Sequence, residues 1–160
     1  MRLVTMDPRK CVACGHCENA CSFRRSNRFD HRDSAIRVIH YPEKGVCIPL
    51  TCVHCRVAWC QEVCPAAAIS RDSLTDAVVI DSARCIGCKM CMLACPFGAI
   101  GFDSASLVCF KCDLCEGDPK CVKTCFSGAL NFEDEADVAL ANRRQHDNRL
   151  AALLRTPADD

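Results

Sequence analysis

Aromatic residues are scarce: one Trp, one Tyr and seven Phe in 160 residues leave little of the bulk from which a core of this size is ordinarily built. No stretch approaches the roughly 20 consecutive apolar residues of a membrane helix, so no span is expected. The opening Met1-Arg-Leu-Val-Thr-Met-Asp-Pro8 has no apolar run of signal-peptide length, and Arg24-Arg25 leads into polar sequence, so no export signal is expected. Excess charge is missing too. Lys+Arg and Asp+Glu are each 20, which gives no reason to expect nucleic acid or an anionic membrane as a partner. A P-loop, a G-x-G-x-x-G turn after a strand and any local nucleophile motif are also absent, so the chain is expected to be non-catalytic.

Cysteine is what the chain has in excess, with 18 in all. Such a content usually marks a secreted disulfide scaffold, but with no export signal a cytoplasmic location is expected, where reduced, clustered thiols hold metal. The cysteines fall into four groups of one design: Cys11, Cys14, Cys17, Cys21; Cys52, Cys55, Cys60, Cys64; Cys85, Cys88, Cys91, Cys95; and Cys112, Cys115, Cys121, Cys125. In each, the last two are four residues apart, one face of a helical turn with a rise of about 6 Å. C-x2-C-x2-C wraps one centre with three thiolates, and the fourth is aimed at a neighbouring one, the bacterial ferredoxin arrangement of 4Fe-4S clusters. Centres joined through one helical turn are expected on the order of 10 Å apart, close enough for electrons to tunnel.

The flanks fit this plan of loop, helical turn and short strand. Pro65-Ala-Ala-Ala-Ile69, Pro96-Phe-Gly-Ala-Ile100 and Phe126-Ser-Gly-Ala-Leu130 each lead from the last cysteine into an apolar strand, and Pro ends the turn. Ala77-Val-Val-Ile-Asp81 reads as the strand that pairs with such a segment, and Ala35 to Tyr41 as an alternating strand.

On Cys52-Val-His-Cys55 with Cys60-Gln-Glu-Val-Cys64-Pro65, Cys85-Ile-Gly-Cys88, Lys111-Cys-Asp-Leu-Cys115 and Cys121-Val-Lys-Thr-Cys125, residues 8 to 132 resemble the four-cluster ferredoxin-like subunits of oxidoreductase complexes. The resemblance implies an α+β fold: two bacterial-type 2x(4Fe-4S) ferredoxin modules, one inserted in the other, with a C-terminal helical tail. Module one would be residues 1–50 plus 103–132, module two 51–102, and the tail 133–160. It implies four 4Fe-4S clusters, with ligand sets Cys11, Cys14, Cys17 and Cys125; Cys112, Cys115, Cys121 and Cys21; Cys52, Cys55, Cys60 and Cys95; and Cys85, Cys88, Cys91 and Cys64. The function implied is electron transfer to or from a separate catalytic subunit, first a tungsten or molybdenum aldehyde oxidoreductase. A hydrogenase, formate dehydrogenase or CO dehydrogenase partner, further copies of the chain, and a free polyferredoxin shuttle remain open. The sequence departs from the family at Phe126, where Pro is usual, and in the short spacer Glu116 to Lys120.

A zinc-binding interaction module is the rival from another class; zinc sites use C-x2-C pairs at longer gaps and need no fourth thiol sent to a neighbour. Two cysteines are left over. Cys109, with Cys112 and Cys115, offers a competing C-x2-C-x2-C register, but its fourth ligand would fall at Pro119, so Cys109 is read as a spare. Cys47 is expected to be a buried small apolar residue. Loaded, the chain would gain roughly −8 of charge. Arg9, Lys10, Arg56, Arg84, Lys89, Lys111, Lys120 and Lys123 flank the ligand loops, the bland reading of each being solvated surface charge. His54 and His16 are read as loop-ordering rather than ligating, and His31, His40 and His146 as structural or surface residues. Residues 22–50 are expected to cover a cluster or to form a docking surface, 133–154 to be a weakly apolar helix, and Thr156 to Asp160 a loose end.

Overall fold

The computed structural model describes residues 1–154, and the end segment expected at Thr156 to Asp160 lies outside them. The elements, in chain order, are β1 (Arg2–Met6), α1 (His16–Ser26), β2 (Arg37–Tyr41), β3 (Val46–Leu50), α2 (Trp59–Glu62), β4 (Ile69–Arg71) and β5 (Val78–Ile80). There follow α3 (Met90–Ala94), β6 (Ile100–Asp103), β7 (Val108–Lys111), α4 (Lys120–Lys123), β8 (Leu130–Asp134) and α5 (Glu135–Leu153). Every sheet is a two-stranded antiparallel ribbon: β1 with β8, β2 with β3, β4 with β5, and β6 with β7.

Each cysteine group supplies a loop, a short helix and the approach to a strand. The helices pack as α1 on α4 and α2 on α3. Groups one and four therefore share one body of side chains around Val4, Ile36, Leu114 and Leu130, and groups two and three another around Ile69, Val78 and Ile100. The guanidinium of Arg24 on α1 ties the first body together, 2.9 Å from Asp113 and 3.3 Å from Glu116 of the fourth group's loop. The strand β6 ends at Asp103 and turns directly into β7, so a boundary between 102 and 103 would cut this hairpin.

The helical reading of the four-residue interval holds fully only in α1, which contains both Cys17 and Cys21. In α2, α3 and α4 the third cysteine of the group is helical, while Cys64, Cys95 and Cys125 lie beyond the helix end. Proline follows two of those, and it disfavours helical backbone in the residue before it.

Two expectations are corrected. Cys47 is only half-buried on β3, its Sγ 3.8 Å from His40 Nδ1, because it lies toward the open end of the ribbon, paired with exposed His40 and next to exposed Val46, whereas Pro49 on the same face is buried further along. Residues 133 and 134 continue β8, pairing with Leu3 and Arg2, and the helix starts at Glu135 where Asp134 caps it by accepting from Ala136 N–H. No residue of α5 is buried, and no helix among the described residues is long and apolar enough to cross a membrane.

Candidate metal centre

The first two thiols of every group sit on a loop that bends the same way. The second residue after the leading cysteine is Ala13, His54, Gly87 or Leu114, and all four have left-handed backbone, with φ of 54°, 49°, 66° and 57°. This turns the backbone N–H inward. That of His54 donates to Cys52 Sγ and that of Leu114 to Cys112 Sγ, each at 3.4 Å. The last thiol of a group is held by a second repeated bond: Ala68 N–H to Cys64 Sγ and Ala99 N–H to Cys95 Sγ, both 3.3 Å. Such bonds favour thiolate over thiol, as a metal ligand requires.

Three cavities follow, alike in size at about 390, 310 and 310 Å³ of atom-free space, part of it open to solvent. One is lined by Cys52, Cys55, Cys60 and Cys95. Another has Cys64, Cys85, Cys88 and Cys91, with Cys109 as a fifth. The third has Cys11, Cys14, Cys17 and Cys125. Each thus takes three thiols from one run and one from another. The remaining four cluster as well: an ionised Cys121 would be repelled by Cys112, Cys21 and Cys115, in that order.

Without a cation the most buried of these thiols are poor anions. Burial pushes Cys17, Cys91 and Cys112 up to about 12, and raises Cys121, Cys60, Cys115 and Cys109 as well. Cys125 is the exception, since the Ser127 hydroxyl and the N–H groups of Leu130, Ala129 and Ser127 outweigh its burial and lower it. Buried sulfur of this kind calls for a positive centre. Among the described residues no three His, Cys, Asp or Glu side chains converge tightly enough for a single ion. The four thiolates of a zinc site lie only about 3.8 Å apart, as follows from a Zn–S bond near 2.3 Å, whereas a four-iron cube holds its ligands wider. The donor set, three thiols of one run with one of another, and its N–H···S bonds fit 4Fe-4S.

The sequence model of the 4Fe-4S dicluster domain matches residues 43–135, which contain three of the four cysteine groups. The chain belongs to this 4Fe-4S dicluster family. It is 36% identical over 144 residues to a ferredoxin of Methanocaldococcus jannaschii described as uncharacterized, covering 89% of this chain and 79% of that protein. Identity to the polyferredoxin-like subunit of the aliphatic sulfonate oxidoreductase of Pyrococcus furiosus is 38% over 123 residues, 76% of this chain and 70% of the other. Formate hydrogenlyase subunit 2 of Escherichia coli aligns over 183 positions at 30% identity, covering 91% and 88%.

Within this dicluster chain, three features of the site were not legible from cysteine spacing. Cys109 is 3% exposed and lies not with the fourth group but in the cavity of Cys64, Cys85, Cys88 and Cys91, its N–H donating to Cys85 Sγ at 3.4 Å. Lys111, two residues on and on the same face of β7, is 7% exposed and lines the Cys52 cavity, so the solvated-charge reading fails for it. The third is which site the insertion at 22–50 covers: as expected of a segment that covers a cluster, Val38 of β2 and Pro49 of β3 wall the Cys11 cavity. His54 does order its loop, Nδ1 accepting from Val78 N–H at 3.0 Å; burial and then the Lys111 charge hold its pKa down at about 3. His16 stays exposed, edge-on to Phe126, with ring centroids 5.7 Å apart.

Gly87 offers a clean test of the loop. Left-handed backbone is tolerated at this position by Ala13, His54 and Leu114, so φ alone would cost Gly87→Ala only about 1 kcal/mol. A Cβ there, however, would be driven into the carbonyl oxygen of Leu107 across the β6–β7 turn. The expected outcome is disruption of the site lined by Cys85, Cys88 and Cys91, read as a lower iron content per chain, while Ala13→Gly leaves the iron content unchanged.

Proposed function

We propose that the chain is a non-catalytic electron-transfer subunit holding four 4Fe-4S clusters, in ligand sets that exchange their last cysteine. Groups one and four would form an outer module and groups two and three a module inserted in it, followed by a helical tail. Bound in such sets, the clusters pass single electrons from one to the next. The observation that carries the reading is the make-up of the cavities: three thiols of one run closed by the last thiol of another.

The chain's own residues do the holding. The left-handed loops fix three sulfurs, N–H groups stabilise their charge, and the apolar walls of Val38, Pro49, Ile69 and Ile80 restrict water. Electrons would be exchanged with a separate oxidoreductase subunit, as the names of the Pyrococcus and Escherichia relatives support. A tungsten or molybdenum aldehyde oxidoreductase is the partner we favour, on the family resemblance of the cysteine motifs; the relatives' names support only that the partner is an oxidoreductase.

Anaerobic purification of an affinity-tagged chain tests this directly. About sixteen irons and as many labile sulfides per chain are expected, together with a co-purifying protein that contains tungsten or molybdenum. A colourless preparation with stoichiometric zinc would overturn the cluster reading, and nickel in the co-purifying protein would transfer the partner to the hydrogenases or CO dehydrogenases.

A further inference from the structure

We propose that the site of Cys52, Cys55, Cys60 and Cys95 has the highest reduction potential of the four and is where an electron comes to rest, because a buried ammonium and an unpartnered imidazole donor line it. The proposal builds on the cluster reading above.

Lys111 is 7% exposed, and its Nζ is held by the carbonyl oxygens of Val78 and, at 3.3 Å, Cys112. No carboxylate lies within ion-pair distance of it among the described residues. A buried charge is costly unless a charge of opposite sign accompanies it. Here that partner is the thiolate set of the cavity that Lys111 lines, and its charge pulls Cys60 toward the thiolate against the effect of burial.

The second group is His54, 1% exposed in the same cavity wall. Its Nδ1 accepts from Val78 N–H, which leaves the proton on Nε2, and Nε2 has no partner. A buried N–H without an acceptor is destabilising, and cluster sulfur in the cavity would supply one.

Reduction adds one electron, hence one negative charge, to whichever site accepts it. A fixed positive charge and a hydrogen-bond donor both stabilise that added charge, and both raise the potential. Among the described residues the other three sites lack such a pair. No charged side chain of a described residue lines the Cys11 cavity. Lys89 lines the Cys64 cavity but is exposed, lying 3.9 Å over the Phe102 ring. Arg24, beside Cys115, is already bound by Asp113 and Glu116.

The test is a potentiometric titration of the purified protein with dithionite as electron source, followed by electron paramagnetic resonance. Iron and sulfide are counted first: a wild-type count well short of about sixteen sinks the cluster reading itself, whatever the potentials. With the count intact, Lys111→Met is expected to lower the reduced-to-oxidised ratio of the first-reduced signal about tenfold at fixed potential, a negative shift of about 59 mV for one electron. Lys111→Arg should restore most of it. An unchanged potential, or a shift in a later signal alone, overturns the proposal.

If Lys111→Met fails to load this site, Cys60→Ser decides instead, since an altered ligand marks its own cluster. The proposal requires the first-reduced signal to be the one that Cys60→Ser changes, and a change confined to a later signal refutes it.

Discussion

Cys95→Ala is expected to empty the site of Cys52, Cys55 and Cys60 and to leave that of Cys85, Cys88 and Cys91 loaded, although Cys95 belongs to the latter run. The reason is the path of the chain after α3. Cys91 lies inside that helix, buried, and lines the cavity of its own run. Cys95 follows the helix end, with Pro96 next, and its Sγ is fixed by Ala99 N–H in the wall of the other cavity. Alanine is a good helix former and leaves α3 and its stop intact, so the substitution removes one ligand and little else. Iron should fall from about sixteen to about twelve per chain, with loss of the resonance that Cys60→Ser also alters. The reciprocal change, Cys64→Ala, should empty the site of Cys85, Cys88 and Cys91. If each alanine instead depletes the run in which it stands, the ligand sets are not exchanged and the nested modules go with them.

The groups of four, the loop–turn–strand plan and the pairing of β4 with β5 were readable because each rests on local periodicity. Spacing along one segment, four residues for a turn and two for a strand, needs no knowledge of the rest of the chain. Cys109 and Lys111 escaped because their roles depend on what β7 packs against. Next to Cys112 in sequence, Cys109 looked like a rival first ligand of group four; pairing of β7 with β6 sends it to group three instead. Strand alternation then puts Lys111 on the same face, toward the Cys52 cavity. A reader who applied that alternation to Val108–Lys111 could have linked the two residues, but not named the cavities. Charge was misjudged for the same reason. Most lysines near the loops are solvated, and only tertiary contact distinguishes the one that is not. The conformation at Ala13 and Leu114 was hidden as well, since neither is a residue type that announces left-handed backbone.

Removing the iron by anaerobic chelation is expected to unfold the chain, with α5 too marginal to survive as an ordered helix. No sheet has more than two strands, and an isolated two-stranded ribbon is marginal in water. The two cores are small and part of each is cysteine: Cys17 and Cys121 in one, Cys91 and Cys109 in the other. Structural zinc sites contribute about 10–16 kcal/mol each to folding, while a whole domain is stable by about 5–15 kcal/mol. If a cluster contributes even half as much, losing four exceeds everything the hairpins can supply. Circular dichroism should show collapse of the ordered signal, and trypsin should cut at Arg71 and Lys111, which lie in β4 and β7 of the folded chain and are protected there. Reloading carries a pH dependence of definite sign. In the unfolded, iron-free chain the cysteines are ordinary thiols that titrate at about 8.5, so each must release a proton to bind iron, and loading at fixed iron and sulfide should weaken as pH falls. An iron-free chain that keeps its strands and melts cooperatively would show that the scaffold stands without metal, and the cysteines would then be passengers in the fold rather than its cross-links.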